Sequence, residues 1–313
     1  MAPSAHNTQP WQFTVAGHYI RISADLQRCL PVADADNHEL YISIGAALEN
    51  LVLAAGAAGY GANVMYDLQP TTQPGVLVHL YEDVRMGTDP LAESIWHRHV
   101  NRSSYARQVP PFELLHLLQQ SVRPEEADVY LITDSLTREK LGRLTAVACR
   151  KQFRNAAFRQ ELGQWVRFSK KEAAQTGDGI ATASLGAPAV GATIGRFFFR
   201  HFTHSVSEAL KAAEQAEAGP VLAVLSTTCN SPEGWVKLGR SFERLSLCAT
   251  RNGLAHAHLN MACEIPDVRK RLKALLQLSG EPLLLLRIGF ATGELPAARR
   301  RPLTSMLVNR SMV

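Results

Sequence analysis

Short apolar runs alternate with longer segments of helical character along the chain. Residues 76–80 and 283–288 are almost wholly apolar and have the length of buried strands. Runs of this kind between helical segments are typical of helices packed on central sheets, so the pattern predicts an α+β fold. Further strands are predicted at residues 19–23, 128–133 and 221–226, and helices at residues 112–120 and 138–154.

The longest apolar tract, residues 44–59, contains Glu49 and Asn50 near its middle. As a helix it would span about 25 Å, which is less than the hydrocarbon core of a bilayer at about 30 Å. Small residues occupy almost every face of the tract, so the backbone of a partner helix could approach closely. We therefore predict a buried helix at an interface like that between two subunits, and no membrane partner.

A segment in the second half of the chain repeats this tract. Residues 45–59 and 239–253 align without gaps and are identical at six of fifteen positions, including the terminal glycines and one glutamate. Each copy precedes one of the apolar runs 76–80 and 283–288, so both halves share a helix-then-strand order. We predict an internal duplication, in which Gly59 and Gly253 end the two helices in a left-handed conformation that costs glycine little.

The composition narrows the class of protein. The 313 residues are 46% hydrophobic, which is enough for a sizeable core and excludes wholesale disorder. The first ten residues lack the features of a secretory signal, and the five cysteines suggest neither a disulfide framework nor a zinc site, so a cytoplasmic location is predicted. The net charge of +5 would suit nucleic acid, but the basic residues are scattered, and a local anion pocket explains the charge more simply.

The first eleven residues place amides, hydroxyls, an imidazole and an indole on a segment whose prolines oppose helix formation. Their order, Pro-Ser-Ala-His-Asn-Thr-Gln-Pro-Trp at residues 3–11, resembles the P-S-x-x-N-x-Q-P-W signature of the FMN-dependent nitroreductase superfamily. In the expected order, residues 45–59 resemble the family's interface helix, residues 98–102 its arginine-bearing phosphate segment and residues 299–303 its C-terminal basic motif. Two such units in one chain are similar to the tandem, Acg-like branch of that superfamily.

The resemblance implies a nitroreductase-like fold in which two related units form an intramolecular pseudo-dimer. The first unit would span residues 1–97, shortened at its N-terminus, and the second would span residues 98–313. The tandem branch has a lid over the flavin, for which the glycine-rich stretch 175–195 is the candidate. Ordinary members of the superfamily are homodimers, so a further homodimer of this chain stays open.

The resemblance also implies FMN as the cofactor. The phosphate of FMN carries nearly two negative charges, and arginine supplies the bidentate, always-charged contacts that such a group requires. Arg98 and Arg102, with at least one of Arg299 and Arg301, are the phosphate candidates, whereas His6 departs from the family pattern and receives no catalytic role. The residues expected at the cofactor, some of them as anchors of its loop, are Pro3, Ser4, Asn7, Gln9, Arg98, His99, Arg102, Gly253, Leu254, Arg299, Arg300 and Arg301.

By the same resemblance, the chain would be an oxidoreductase that passes hydride from NAD(P)H through FMN to a nitroaromatic, a quinone or a similar planar acceptor. The flavin carries this chemistry, so no catalytic side chain is expected, and no metal either, because the His256-x-His258 pair lacks a third ligand. One flavin per chain is predicted, since the first unit lacks its own arginine segment. Two alternatives stay open: a flavin-sequestering protein with little turnover, and a nucleic-acid-binding protein suggested by the net charge.

Overall fold

The computed structural model describes residues 1–69, 74–83, 87–187, 191–202 and 204–308. The strands in these residues are β1 (Trp11–Ala16), β2 (Tyr19–Ala24), β3 (Tyr60–Asp67), β4 (Gly75–Glu82), β5 (Asp128–Ile132), β6 (Val166–Arg167), β7 (Ile180–Ala181), β8 (Val221–Thr227), β9 (Ala255–His258) and β10 (Glu281–Gly289). The helices are α1 (His38–Ala57), α2 (Phe112–Ser121), α3 (Ser135–Arg154), α4 (Ala156–Trp165), α5 (Lys170–Thr176), α6 (Ala192–Phe202), α7 (Ser205–Ala218), α8 (Pro232–Arg251), α9 (Met261–Glu264) and α10 (Pro266–Leu275).

Two four-stranded sheets share one topology. The strand order is β1-β2-β4-β3 in the first sheet and β5-β8-β10-β9 in the second, and every neighbouring pair is antiparallel. In both sheets a long helix connects the strands that are second and third along the chain. Helix α1 connects β2 to β3, and helix α8 connects β8 to β9. The predicted α+β class, with two related units that each contain a central sheet, is therefore confirmed. The five predicted strands and the helices predicted at residues 112–120 and 138–154 agree with the observed ones to within about three residues, whereas the two repeat helices begin about seven residues before the aligned segments 45–59 and 239–253.

Helix α1 lies at the centre of the molecule, where it packs against α8. Fifteen of its twenty residues are buried. Its length and hydropathy would suit a membrane span, but 72% of its most apolar window is buried inside the protein. The prediction of a buried helix at an interface between two units is confirmed.

The apolar core continues from one sheet to the other through these two helices. Ile22 of β2 and Leu48 of α1 belong to the cluster beneath the first sheet, and Val236 of α8 belongs to the same cluster. The second sheet is buried on both faces, with α8 on one side and α3, α9 and α10 on the other. The two units therefore share a continuous core, as the halves of an obligate dimer do.

The C-terminal residues cross to the first sheet. The N–H of Phe13 donates to the carbonyl of Met306 and the N–H of Val308 donates to the carbonyl of Phe13, both at 2.8 Å. The indole Nε1 of Trp11 donates to the sulfur of Met306 at 3.1 Å. Residues that the sequence assigns to the second unit thus extend the β1 edge of the first sheet, which resembles the exchange of a terminal segment between subunits.

Candidate functional site

The signature segment forms a tight loop before β1. Ala5–Asn7 is a 3₁₀ turn, and His6, Asn7 and Gln9 have positive φ angles of 47°, 54° and 52°. Positive φ is uncommon for residues other than glycine, and such conformations persist where the surrounding structure enforces them, often at functional sites. The loop therefore depends on contacts with other parts of the chain.

Asn7 supplies three of these contacts. Its side-chain Nδ2 donates to the carbonyls of Gly179 and Arg299, each at 3.0 Å. Its Oδ1 accepts a hydrogen bond of 2.8 Å from the Arg300 guanidinium. Asn7 thereby joins the signature loop to the lid candidate on one side and to the C-terminal arginines on the other.

Gln9 makes a second set of contacts to the same two segments. It is fully buried, its Nε2 donates to the carbonyl of Gly177 at 2.9 Å, and its Oε1 accepts the N–H of Arg301 at 2.9 Å. The backbone N–H of Gln9 donates to Ser4 Oγ at 2.9 Å, which closes the loop on itself. Gln9 therefore anchors the loop, and its amide is fully engaged within the protein.

Part of the lid candidate, residues 175–195, lies against the signature loop. The N–H of Gly179 donates to the carbonyl of Asn7 at 3.2 Å, and β7 pairs with β6 immediately afterwards. Asp178 forms ion pairs with Arg28 and Arg167, which fix the same stretch from the other side. Residues 188–190 of the candidate lie outside the described residues.

Basic side chains converge beside this loop. They come from the loop itself, from the segment after residue 97, from strands β9 and β10 and from the C-terminal region. Several of them lie close enough together that one lowers the pKa of another. Among the described residues, the arginines of this group make one ion pair. Nε of Arg98 lies 3.4 Å from Oε1 of the fully buried Glu243. The convergence concentrates positive charge and imidazole in one place. This basic cluster consists of His6, Arg98, His99, Arg102, His256, His258, Arg287 and Arg300.

Several nitrogens of the basic cluster are buried without a hydrogen-bond partner. A buried polar group without a hydrogen-bond partner costs about 1–3 kcal/mol, and more when the group is charged. The concentration of such nitrogens in one place therefore indicates a site for an anionic ligand, whose oxygens could accept from several N–H groups at once. These atoms are Nη1 of Arg98, Nε of Arg287 and Arg300, Nδ1 of His6, Nε2 of His99, and both ring nitrogens of His256; Nε of Arg98 makes no hydrogen bond either and has the ion pair with Glu243 alone.

The electrostatics of the cluster agree with this interpretation. Burial lowers the pKa of the Arg98 guanidinium, although Glu243 partly offsets the effect. Burial and the neighbouring Arg98 lower the pKa of Arg300 to about 10. Burial and Arg102 lower the pKa of His6 to about 4. Each shift shows that positive charge is disfavoured in the cluster, so a bound anion would relieve it.

The structure brings some of the sequence-predicted cofactor residues to the cluster and leaves others elsewhere. Arg98, His99, Arg102 and Arg300 are members, and Asn7 contacts Arg300. Pro3, Ser4 and Gln9 belong to the signature loop beside it.

Four predicted residues have other surroundings. The Arg299 side chain is exposed, and Arg301 donates to the carbonyls of Gln9 and Ser305 instead. The amides of Gly253 and Leu254 donate to carbonyls of α8, because the two residues form the end of that helix. Of the C-terminal arginines, Arg300 is therefore the one that faces the cluster, rather than the two favoured from the sequence.

Three histidines of the site were not among the sequence-predicted cofactor residues. His6 received no role because one imidazole in a loop is more often structural, and His256 and His258 were weighed as metal ligands alone. Their alternation on β9 places both side chains on one face of an edge strand. The two-residue spacing of His256 and His258, together with the nearby arginines, is the signal that could have identified these two histidines as cofactor residues.

Glu49, the repeat equivalent of Glu243, has a different environment. Its carboxylate forms ion pairs with Arg123 at 2.9 Å, Arg240 at 2.9 Å and Arg244 at 3.1 Å. These arginines also pair with Glu126 and with Asp89. The charges around Glu49 are thus neutralised within the protein, whereas the basic cluster around Glu243 retains unpaired donors.

One group of metal-ligating residue types occurs at the start of α1. Ligand atoms of Asp34, Asp36 and His38 lie within 4.8 Å of one another. Asp34 accepts the N–H groups of Glu39 and Leu40 at 3.0 Å and 2.9 Å, and His38 Nδ1 contacts Asp36. These hydrogen bonds account for the group as the N-terminal cap of α1.

No known family model matches this chain. A Mycobacterium tuberculosis protein named "Putative NAD(P)H nitroreductase acg" is 27% identical, over 96% of this chain and 90% of that protein. A Serratia protein named "Probable NAD(P)H nitroreductase PigM" is 25% identical, over 92% of this chain and 85% of that protein.

Solved structures also match the chain. The match to an FMN-bound nitroreductase from Bacteroides fragilis covers 71% of this chain and 100% of that protein's chain, with 16% identity and a TM-score of 0.42. The match to the FMN-dependent nitroreductase NfnB from Mycobacterium smegmatis, in complex with NADPH, covers 69% of this chain and 96% of that protein's chain, with 15% identity and a TM-score of 0.45. The chain is thus similar over nearly its full length to proteins named as NAD(P)H nitroreductases, in agreement with the resemblance of its signature segment.

Proposed function

We propose that the chain is an FMN-dependent NAD(P)H oxidoreductase of the nitroreductase type. The observation that carries the proposal is the basic cluster, in which buried guanidinium and imidazole nitrogens without partners meet beside the signature loop. An anion in the cluster would satisfy those nitrogens and offset the repulsion among them. The relatives' names, which describe NAD(P)H nitroreductases, support the same assignment.

The residues present fit the phosphate of FMN. Arg98 offers Nη1, Arg300 offers Nε, and Arg102 forms no ion pair among the described residues. Arginine forks of this kind give phosphate bidentate hydrogen bonds that are stronger than those between neutral groups. We assign Arg98, Arg102 and Arg300 to the phosphate, with His6 and His99 as further donors. We assign Pro3, Ser4 and Asn7 to the side of the cofactor that faces the signature loop.

When bound, FMN itself supplies the hydride-transfer chemistry. The chain's own residues have the task of binding and orienting. The basic cluster would hold the anionic end, and its positive charge would favour the negatively charged, reduced form of a bound flavin. Asn7 and Gln9 hold the signature loop at the site through their bonds to residues 177–179 and 299–301. No side-chain acid or base is required.

NAD(P)H is the proposed donor, and a nitroaromatic, a quinone or another planar compound is the proposed acceptor. Donor and acceptor would alternate at one stacking position beside the flavin. Because the residues assigned to the cofactor come from both units of one chain, we propose that the site forms without a second subunit. A further homodimer is not needed for this activity.

Absorbance spectroscopy and steady-state kinetics test the proposal. We expect purified protein to be yellow, or to become so with excess FMN, and to release FMN on acid treatment. We expect it to oxidise NADH or NADPH when a nitroaromatic or a quinone is supplied. Arg102→Gln should weaken FMN binding, whereas Arg107→Gln, at an exposed position of the same segment, should not. Protein that stays colourless with excess FMN would overturn the assignment.

Flavin sequestration is a second candidate function. It is favoured by the lid candidate, whose residues 177–179 are fixed to the signature loop by Asn7 and Gln9 and to the rest of the protein by Asp178. A cover fixed in this way would admit acceptors slowly. Tight FMN binding with negligible acceptor-dependent oxidation of NAD(P)H would favour sequestration over catalysis.

A further inference from the structure

Three histidines of the basic cluster lie near Arg102. His256 and His258 lie two residues apart on the edge strand β9, with ring centroids 6.3 Å apart. Phe242 of α8 contacts both rings edge to face, at 6.1 Å and 5.2 Å. His6 approaches from the signature loop, where its backbone adopts a left-handed conformation. The imidazoles therefore have an apolar ring beside them and arginines around them.

The charged groups around each imidazole are mostly positive. His256 is influenced by Arg98, His258, His99 and Arg102. His258 is influenced by Arg102 and Arg98, and His6 by Arg102.

The elements packed around these arginines contribute few compensating charges. The amino group of Met1 and Arg300 lie beside Arg98, together with the carboxylate of Glu243. Tyr105 and Arg287 lie beside Arg102. Among the groups named here, Glu243 supplies the one carboxylate, so positively charged groups are in large excess.

The three imidazoles are therefore neutral at physiological pH in the absence of an anion. Burial lowers the pKa of all three, and the nearby arginines add to the effect. The pKa falls to about 4 for His6 and to about 3 for His258, and it falls well below its usual range for His256. Both ring nitrogens of His256 and Nδ1 of His6 lack hydrogen-bond partners. These two rings therefore keep a nitrogen without a partner within the protein, and a neutral imidazole such as that of His258 also has one unprotonated ring nitrogen.

We propose that His6, His256 and His258 take up protons when a dianionic phosphate binds beside Arg98 and Arg102, so that cofactor binding at this site is coupled to protonation. The inference rests on the proposed function, because it takes the phosphate of FMN as that anion. The protons come from solvent and bind to ring nitrogens, and no bond other than N–H forms.

The direction of the effect follows from linkage. A negative charge beside an imidazole favours its protonated form, so the bound state holds more protons than the free state. Affinity for the anion must then rise as the pH falls. This coupling would make the basic cluster release its ligand more readily at alkaline pH, which fixed arginine charges alone would not do.

Calorimetry with inorganic sulfate tests the coupling without the flavin. The charge of sulfate is constant between pH 6 and pH 9, so any proton taken up must bind to the protein. Titrations at pH 7 in buffers of different ionisation enthalpy give the number of protons. We expect about half a proton or more per sulfate, which corresponds to an affinity that rises about threefold per pH unit as the pH falls. The same titrations with FMN and with riboflavin, which lacks the phosphate, should show uptake for FMN alone.

Variants identify the groups that accept the protons. Replacing the three histidines by glutamine, singly and together, should reduce the uptake stepwise, whereas His18→Gln, at an exposed turn, should leave it unchanged. Should a variant fold poorly, the imidazole C–H signals of the unmodified protein give the same information, because sulfate should shift the titration of two or three histidines to higher pH.

The outcomes separate this inference from the proposed function. FMN and sulfate binding without proton uptake would overturn the inference and leave the function standing. Sulfate binding with uptake, in protein that binds no FMN at any pH, would overturn the function and support a proton-coupled site for another phosphate compound. Uptake that persists in the triple glutamine variant would also overturn the inference.

Discussion

Gly45 of α1 and Gly239 of α8 face each other where the two helices cross, and their contacts are reciprocal. A Cβ on Gly45 would lie 2.0 Å from the carbonyl oxygen of Val236 and 2.9 Å from Cα of Gly239. A Cβ on Gly239 would lie 2.1 Å from the carbonyl oxygen of Ile42. Ile42 and Val236 each precede their glycine by three residues. The crossing therefore has the contact pattern of a two-fold symmetric dimer, within one chain.

Either glycine should be intolerant of even one added carbon. Both obstructing atoms are backbone carbonyl oxygens, which cannot rotate away as a side chain could, so the helices would have to separate. For Gly45→Ala or Gly239→Ala we expect a loss of about 3 kcal/mol in the free energy of unfolding. Denaturant titration followed by circular dichroism measures this directly.

Gly142 of α3 provides a matched control. It is also a helical glycine, but an added Cβ would meet its nearest neighbours, the Ala213 carbonyl oxygen and the Ala216 Cβ, at an ordinary 3.4 Å. Gly142→Ala should therefore be neutral, or stabilising by about 1 kcal/mol through helix propensity. Equal losses in all three variants would show that the α1–α8 crossing is looser than described.

The sequence repeat predicted this architecture because its aligned positions include the residues that form the α1–α8 crossing. The aligned Gly45 and Gly239 are the points of close approach, the aligned glutamates are both fully buried, and Gly59 and Gly253 both adopt positive φ. A one-dimensional pattern could predict these features because each depends on the spacing along a single helix.

Other features depend on distant parts of the chain, and the sequence did not predict them. Strand β3 contains Gly61 and Asn63, two residue types that are depleted in strands, yet it pairs with β4 along its whole length. Helix α6 begins inside the stretch 175–195, which its glycines predict as a loop. The basic cluster joins residues up to 294 positions apart, from His6 to Arg300, and local spacing cannot predict that proximity.

Arg300 is the C-terminal arginine on which FMN affinity should depend. Its Nη1 donates to Asn7, its Nε is buried without a partner, and its neighbours are Arg98 and Glu243. For Arg300→Gln we expect FMN affinity to fall by about 10- to 100-fold, the equivalent of one charge-assisted hydrogen bond. Flavin fluorescence titration measures the dissociation constant.

Two comparisons make the Arg300 result specific. Arg299→Gln should change FMN affinity by less than about twofold, because that side chain is exposed. Riboflavin affinity should be similar in the unmodified protein and in both variants, since the lost contact is to the phosphate. A larger effect at Arg299 than at Arg300 would contradict the assignment of the cluster.

The chain should bind one FMN. The repeat equivalent of the basic cluster is the region around Glu49, where Arg123, Arg240 and Arg244 are already paired with carboxylates. A second phosphate would have to displace those ion pairs and leave Glu49 buried without a partner, at a cost of several kcal/mol. Acid release of FMN from saturated protein, compared with the protein concentration from amino-acid analysis, measures the ratio. A ratio near two would exclude this pairing of residues.

The carboxyl groups of Glu39 and Glu264, from α1 and α9, should make the protein less stable at alkaline pH. Burial raises the pKa of both, and for Glu39 the nearby Glu264 adds to the effect. Their partners are Asn260, which donates to Glu39 at 2.7 Å, and Gln152, which donates to Glu264. The pair therefore retains a proton in the folded protein at a pH where the unfolded chain has lost it.

The sign of the pH dependence follows. Above the ordinary glutamate pKa of about 4.3, the folded state binds more protons than the unfolded state, so stability falls as the pH rises until the raised pKa has been passed. Glu39→Gln removes one ionisable group and can still accept from Asn260, so between pH 5 and pH 8 it should lose less stability than the unmodified protein, by about 1–2 kcal/mol. Urea unfolding at several pH values provides the comparison, with the exposed Glu214→Gln as the control. Parallel pH profiles for Glu39→Gln and the unmodified protein would show that the pair is fully ionised in the fold.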